Sequence, residues 1–387
     1  MKLAYVVPRY GREVVGGAEM AVRMLAERLV AGLGWDVSVL TTCAVDSRTW
    51  ADEYPPGETV EAGVRVRRFG SARGRDQRFD RWYRKVIDAD APSAADQERW
   101  LRLQGPVAPD VVDAAAASSA DLVAFSPYLY APIVRGVGAV GAERAVLHPA
   151  AHDEPALRLG LFDPVFHGVA GLVFYTHGER RLVARRFGVA ERPQMVLGLG
   201  VDRGAAAGWE LDEPYLLCVG RVDDSKGCGL LGQAFASYKE RRPGPLKLVF
   251  MGQVVDRPPK HPDIVVTGVM PEAVKWAAYE GALALVQPSP YESFSLVLIE
   301  GWLAGAPALV NAACLATREH CARSGGGLWF GSYGAFEVAV DRLAGDEGLR
   351  AELVARGRAY AEAQFTWPVL LERYAGFLHA VAGRAGR

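Results

Sequence analysis

The chain has 387 residues and a mass of 41.8 kDa, which suits two domains and excludes a single small binding module. Half of its residues are hydrophobic and 23% are charged, the balance of a folded protein with a large core, so global disorder is excluded. Its 44 basic and 45 acidic residues sum to a net charge of −1, so no overall field draws it to nucleic acid, and any anion site has to be local.

The first elements are a strand over residues 3–7, a helix near 17–30 and a strand over 37–41, a β-α-β opening that predicts a parallel sheet. The apolar run after Met1-Lys2 is too short for a secretory signal. The five cysteines are scattered without a C-x-x-C pair, which fits a reduced, cytoplasmic setting. Residues 65–85 then carry nine basic side chains among Phe69, Phe79, Trp82 and Tyr83. They read first as a solvated loop and helix face, and second as a surface for peripheral contact with the inner face of a membrane or an anionic acceptor. Nucleic acid is a distant third. Asp88-Ala-Asp90 has the spacing of a metal-binding carboxylate pair but sits in a polar stretch and reads as solvent-facing.

Strands over 122–125, 145–147, 171–175 and 195–198, with helices near 130–137 and 179–187, complete a first doubly wound domain. Gly136-Val-Gly-Ala-Val-Gly141 has dinucleotide-loop spacing but follows a helix and precedes a strand, the wrong order for that fingerprint. A polar segment over 208–214 ends in proline and reads as a linker. Beyond it come strands over 215–219, 246–251, 264–267, 284–287 and 308–310. Helices are expected near 229–240, 271–279, 295–304 and 334–344. The stretch 295–310 is the most apolar, but Glu300, Gly301, Gly305 and Pro307 interrupt it, so it is no membrane span. Gly325-Gly326-Gly327 reads as a flexible loop after a helix. The expected fold class is α/β, two Rossmann-like doubly wound domains with parallel sheets facing across a cleft, and ligands bind such sheets at the strands' carboxyl ends.

Two strand-to-helix turns carry the chemistry. The strand over 215–219 runs into Gly220-Arg221-Val-Asp-Asp-Ser-Lys226-Gly227, where glycines admit a close backbone approach and two cations reach an anion already favoured by the following helix. The strand over 284–287 runs into Pro288-Ser-Pro-Tyr-Glu292-Ser293-Phe294-Ser295-Leu296, with Ser293 and Ser295 as capping side chains and free amides around Phe294 to Leu296 facing a phosphate. Glu292 and Glu300 would stand about 12 Å apart along a helix, beyond the roughly 5 to 9.5 Å of a glycosidase acid/base pair. A binding role suits them better.

Gly-Arg-x(4)-Lys-Gly followed by Glu-x(7)-Glu resembles the signature of the retaining nucleotide-sugar glycosyltransferases of family 4, which have the GT-B fold. Weaker matches occur in order along the chain: Gly16-Gly17-Ala18-Glu19, His152-Asp153-Glu154-Pro155 and Gly200-Val201-Asp202. The resemblance implies domains over 1–207 and 208–365, with a C-terminal helix over 366–387 returning to the first. It implies that Arg221 and Lys226, with Gly220 and the turn Ser293, Phe294, Ser295 and Leu296, hold the donor diphosphate. Glu300 would bind the ribose, Glu292 the donor sugar, and the Gly17 amide the same phosphate or the acceptor path. His152 would lie beneath the transferred sugar, with His148 as its rival. Ser295 departs from the family's glycine. The implied reaction needs no cofactor and no metal, only the nucleotide-sugar as co-substrate, and the acceptor is a saccharide, a lipid-linked saccharide or a small molecule. A nucleotide-sugar 2-epimerase and a catalytically silent binding subunit are the alternatives; an oxidoreductase would need a bound dinucleotide.

Overall fold

In the computed structural model, which describes residues 1–385, the chain divides into two compact units, Met1–Gly198 with Leu370–Arg387, and Leu199–Val369. Positions 386 and 387 of the expected C-terminal helix lie outside the described residues.

The first unit runs β1 (Lys2–Val6), α1 (Gly17–Leu33), β2 (Asp36–Thr42), β3 (Gly57–Glu61), β4 (Val64–Phe69), α2 (Phe79–Ile87), α3 (Ala94–Gln104), α4 (Pro109–Ala116) and β5 (Leu122–Phe125). It continues through α5 (Ala131–Val140), β6 (Ala145–Leu147), α6 (Asp163–His167), β7 (Gly171–Phe174), α7 (His177–Phe187) and β8 (Gln194–Val196). The strands form one sheet in the order β3-β4-β2-β1-β5-β6-β7-β8. It is parallel except at its edge, where β3 and β4 pair antiparallel, a correction to the expected wholly parallel sheet. The cause is a two-residue turn in which Ala62 (φ 48) and Gly63 (φ 82) both lie in the left-handed region, the twist a tight hairpin requires. Helices α3 and α4 also escaped the sequence reading. Ser93 caps α3 by accepting from the Asp96 amide at 3.1 Å, and Trp100 of α3 is buried against Phe79 and Phe162.

The second unit runs β9 (Tyr215–Val219), α8 (Cys228–Arg241), β10 (Lys247–Met251), β11 (Ile264–Gly268), α9 (Glu272–Gly281), β12 (Ala284–Gln287) and α10 (Leu296–Ala304). Then come β13 (Ala308–Asn311), α11 (Leu315–Ser324), β14 (Gly327–Phe330), α12 (Tyr333–Gly345), α13 (Glu347–Phe365) and α14 (Trp367–Ala385), the last passing into the first unit from Leu370. Its sheet, β11-β10-β9-β12-β13-β14, is parallel throughout. Residues 199–214 pack on this unit rather than hanging as a linker: Val201 N–H donates to Phe365 O (2.8 Å) and Trp209 Nε1 to the Tyr215 hydroxyl (2.9 Å). The Gly325-Gly326-Gly327 run is no flexible loop. Gly325 closes α11 in the left-handed region (φ 64), a Cβ on Gly326 would lie 2.4 Å from the Gly357 Cα, and Gly327 opens β14.

Candidate functional site

The turn after β9 is organised by a carboxylate that sequence reasoning passed over. Asp223, 5% exposed, caps the short helical turn Asp224–Lys226: its Oδ1 accepts from the Lys226 amide (2.8 Å) and the Ser225 hydroxyl (2.7 Å), and its Oδ2 from Arg221 Nε. Burial pushes the Asp223 pKa up, but these hydrogen bonds outweigh it and hold the carboxyl below its usual range. The Arg221 side chain and the Lys226 backbone are thereby fixed around one buried anion, with the Arg221 side chain about half exposed. Gly227 (φ 76) ends the turn, and a Cβ there would lie 2.7 Å from the Pro288 carbonyl oxygen, so glycine is what lets this turn approach the one after β12. Asn311 at the end of β13 donates to the same carbonyl (2.8 Å).

The two turns also meet through charge: Lys226 Nζ lies 2.7 Å from Glu292 Oε1, both side chains mostly buried. Glu292 sits in the loop before α10 and Glu300 inside it, so the premise that both are helical does not hold. Glu300 accepts from the Tyr279 hydroxyl (2.8 Å) and pairs with Lys275 Nζ (3.1 Å), both on α9. Lys275 and Tyr279 were not singled out from sequence; the signal was their placement one turn apart on α9, which matters only once α9 is known to flank α10.

At the N-terminus of α10 the capping expectation for Ser295 is corrected. Ser295 adopts φ 74, ψ 78 and its side chain caps no amide; its hydroxyl instead accepts from Gln287 Nε2 at 3.3 Å. The conformation gives a reason beyond size for glycine at this position, since a left-handed residue costs a non-glycine about 1–2 kcal/mol. Phe294 is buried between His320 and Phe365, so its ring anchors the loop and only its backbone is left for a ligand. Ser293 and Leu296 are half-buried, and Leu296 opens α10, whose first amides point out of the helix N-terminus.

In the first unit, Gly17 starts α1, and a Cβ there would meet nothing within 4 Å, so packing does not demand glycine at this point. Gly16 is different. A Cβ would fall 2.2 Å from Glu19 Oε2, and Glu19 forms a buried ion pair with Arg9 (2.5 Å). His148 is fully buried, its Nε2 2.8 Å from the Tyr374 hydroxyl, which is itself 3.0 Å from that of Tyr5. Burial drops its pKa to about 3, so it stays neutral. Of the two rival histidines, His148 is a core residue and His152 is half-buried in the loop beyond β6.

The basic stretch is not one helical face. Residues 64–69 are strand β4, in which Arg65 pairs with Asp36 (2.6 Å) and the buried Arg68 with Glu61 (2.6 Å); in α2, Lys85 pairs with Asp96 (3.0 Å) and stacks on Trp82. These partners account for Arg65, Arg68 and Lys85. Asp88 and Asp90 are exposed, and Gly136 to Gly141 form the end of α5 and its cap. All five cysteines are buried and unbridged. Among the described residues no cluster of three His, Cys, Asp or Glu side chains could hold a metal ion, and no helix is long and apolar enough to cross a membrane.

Residues 205–360, most of the second unit, match the family model described as Glycosyl transferases group 1. No curated protein matches the chain. Solved structures similar over essentially the whole length include a sucrose-phosphate synthase from Thermosynechococcus elongatus (18% identity, TM-score 0.71, 99% of both chains) and the trehalose-6-phosphate synthase OtsA (12%, 0.71, 98% of this chain and 99% of that one). The Anabaena protein HepE, solved in complex with UDP and glucose, is similar at 16% identity and a TM-score of 0.67, over 98% of this chain and 100% of that one. The fold is therefore GT-B, with two Rossmann-like units.

Proposed function

We propose that the protein is a retaining glycosyltransferase of the family 4 type, which moves a sugar from a nucleoside-diphosphate donor to an acceptor hydroxyl. The observation that carries this reading is the joined pair of turns: Asp223 sets Arg221 and Lys226 on one strand-to-helix turn, and Lys226 reaches Glu292 on the turn that opens α10. The group 1 match over the same residues and a structural neighbour solved with UDP and glucose support it.

In this reading the diphosphate lies against Arg221, Lys226, the Gly220 backbone and the amides from Ser293 to Leu296. As the bond from sugar to phosphate loosens, negative charge builds on the leaving diphosphate, and cations already fixed in place stabilise it more in the transition state than in the ground state. That removes the need for a metal. Glu292, tied to Lys226, accepts in this reading from sugar hydroxyls close to the phosphate, and Glu300, steadied by Tyr279 and Lys275, from the ribose. Gly17 and His152, in the first unit, are the residues we assign to the phosphate or acceptor path and to the transferred sugar. The acceptor proton passes to the leaving phosphate on the same face, which preserves the anomeric configuration.

The test is incubation of the purified protein with UDP-, GDP-, ADP- and dTDP-sugars, with and without saccharide acceptors, followed by NMR of the product's anomeric centre. A retained configuration with acceptor-dependent release of nucleoside diphosphate supports the reading. Inversion, or a rearranged donor without any acceptor, refutes it, the latter in favour of a 2-epimerase. Arg221→Ala or Lys226→Ala should each lower turnover by about 100-fold or more.

A further inference from the structure

The loop that carries His152 is held in a conformation its own sequence disfavours. Ala150 has φ 52, in the left-handed region, where an alanine costs about 1–2 kcal/mol and where the chain places few residues other than glycine. Such a conformation persists only where its surroundings impose it. Here the surroundings can be named. The carboxylate of Glu179, 6% exposed near the start of α7, is shared between two segments: Oε1 accepts from the Ala151 amide (2.9 Å) and Oε2 from the Tyr175 amide at the end of β7 (2.7 Å). Its own amide is capped by Thr176 Oγ1 (3.1 Å), which fixes the backbone from which the side chain projects. On the other side of the loop, the Tyr128 amide donates to Pro149 O (3.1 Å) and the Tyr128 hydroxyl to Glu154 Oε1 (2.8 Å). The loop is pinned on both flanks of His152, with the strained residue two positions before it.

We infer that Glu179 is a positioning residue: by clamping the Ala151 amide to the end of β7 it forces Ala150 into the left-handed conformation and so sets where His152 stands. This rests on the reading of His152 as the group at the transferred sugar.

The test separates stability from chemistry. Ala150→Gly relieves the strain and lets the loop depart from the imposed shape. It should leave the thermal midpoint unchanged or raised, leave nucleotide affinity in the second unit unchanged, and lower kcat about tenfold with little change in donor KM. Glu179→Gln should lower kcat in the same way, and lower the midpoint as well. Wild-type kcat in Ala150→Gly overturns the inference. His152→Ala is the control: if it transfers at the parent rate, the reading of His152 itself fails, whereas loss of transfer in His152→Ala with full activity in Ala150→Gly sinks only the positioning role.

Discussion

Replacing His148 by glutamine keeps a side chain able to meet the Tyr374 hydroxyl and removes a group that the folded first unit holds neutral down to about pH 3. In the unfolded chain the same imidazole titrates near 6.5, so as pH falls below that value the unfolded state takes up a proton the native state refuses, and stability is lost. From about pH 7.5 to about pH 5 the loss is about 2 kcal/mol, at roughly 1.4 kcal/mol per pH unit below 6.5. Glu179 acts in the opposite sense. Burial, resisted by its backbone hydrogen bonds, raises its pKa from 4.5 to about 7, so the native state takes up its proton first and gains stability as pH falls between these values, again by about 2 kcal/mol over the same interval. In the parent protein the two slopes nearly cancel. His148→Gln should therefore gain about 2 kcal/mol on the parent as pH is lowered across that interval, and Glu179→Gln should fall behind by as much. Hydrogen exchange of peptides covering β6 and β7, corrected for the intrinsic pH dependence of exchange, reads opening of the first unit alone. Two differences that stay flat across the interval would refute the burial argument for both residues.

Other consequences follow from the second unit. Ser295→Gly should change stability by less than about 1 kcal/mol, because relief of the left-handed strain is offset by the greater freedom of glycine in the unfolded chain. Ser295→Val should cost about 2 kcal/mol or more, since a β-branched side chain is worst suited to that conformation; urea unfolding distinguishes the two. Lys275→Met leaves the mostly buried Glu300 carboxylate with the Tyr279 hydroxyl alone, and should cost about 1–3 kcal/mol in urea unfolding and weaken nucleotide affinity, with Tyr279→Phe weaker in both effects.

Much of the architecture could be read from periodicity. Short apolar strands alternating with helices announced two Rossmann-like units, and the motif-bearing turns at 220–227 and 288–296 fall where strands end and helices begin. What escaped has physical causes. The β3–β4 hairpin turns on Ala62-Gly63, and alanine is not a residue that advertises a left-handed turn. Helix α13 carries its buried residues Leu353, Gly357, Ala361 and Phe365 at helical spacing, but two are small, and Gly357 is needed because a Cβ would collide with the Trp302 ring. In the candidate site, Arg221, Lys226, Glu292 and Glu300 stood out through the spacing of a motif that resembles a known family. Asp223 did not, because a carboxylate among charged neighbours looks like a surface residue until its burial and three partners are seen. Glu179 was hidden for the same reason on an Arg-rich helix.

The central claim is that the turns after β9 and β12 together bind a nucleoside diphosphate, and calorimetric titration of the protein with UDP, GDP, ADP and dTDP tests it most directly. One of the four should bind, and Lys226→Ala should weaken that binding at least tenfold, with the thermal midpoint of the unliganded protein lowered only modestly by the unpaired Glu292. Binding of equal strength in the folded variant, or no heat with any of the four, would contradict it.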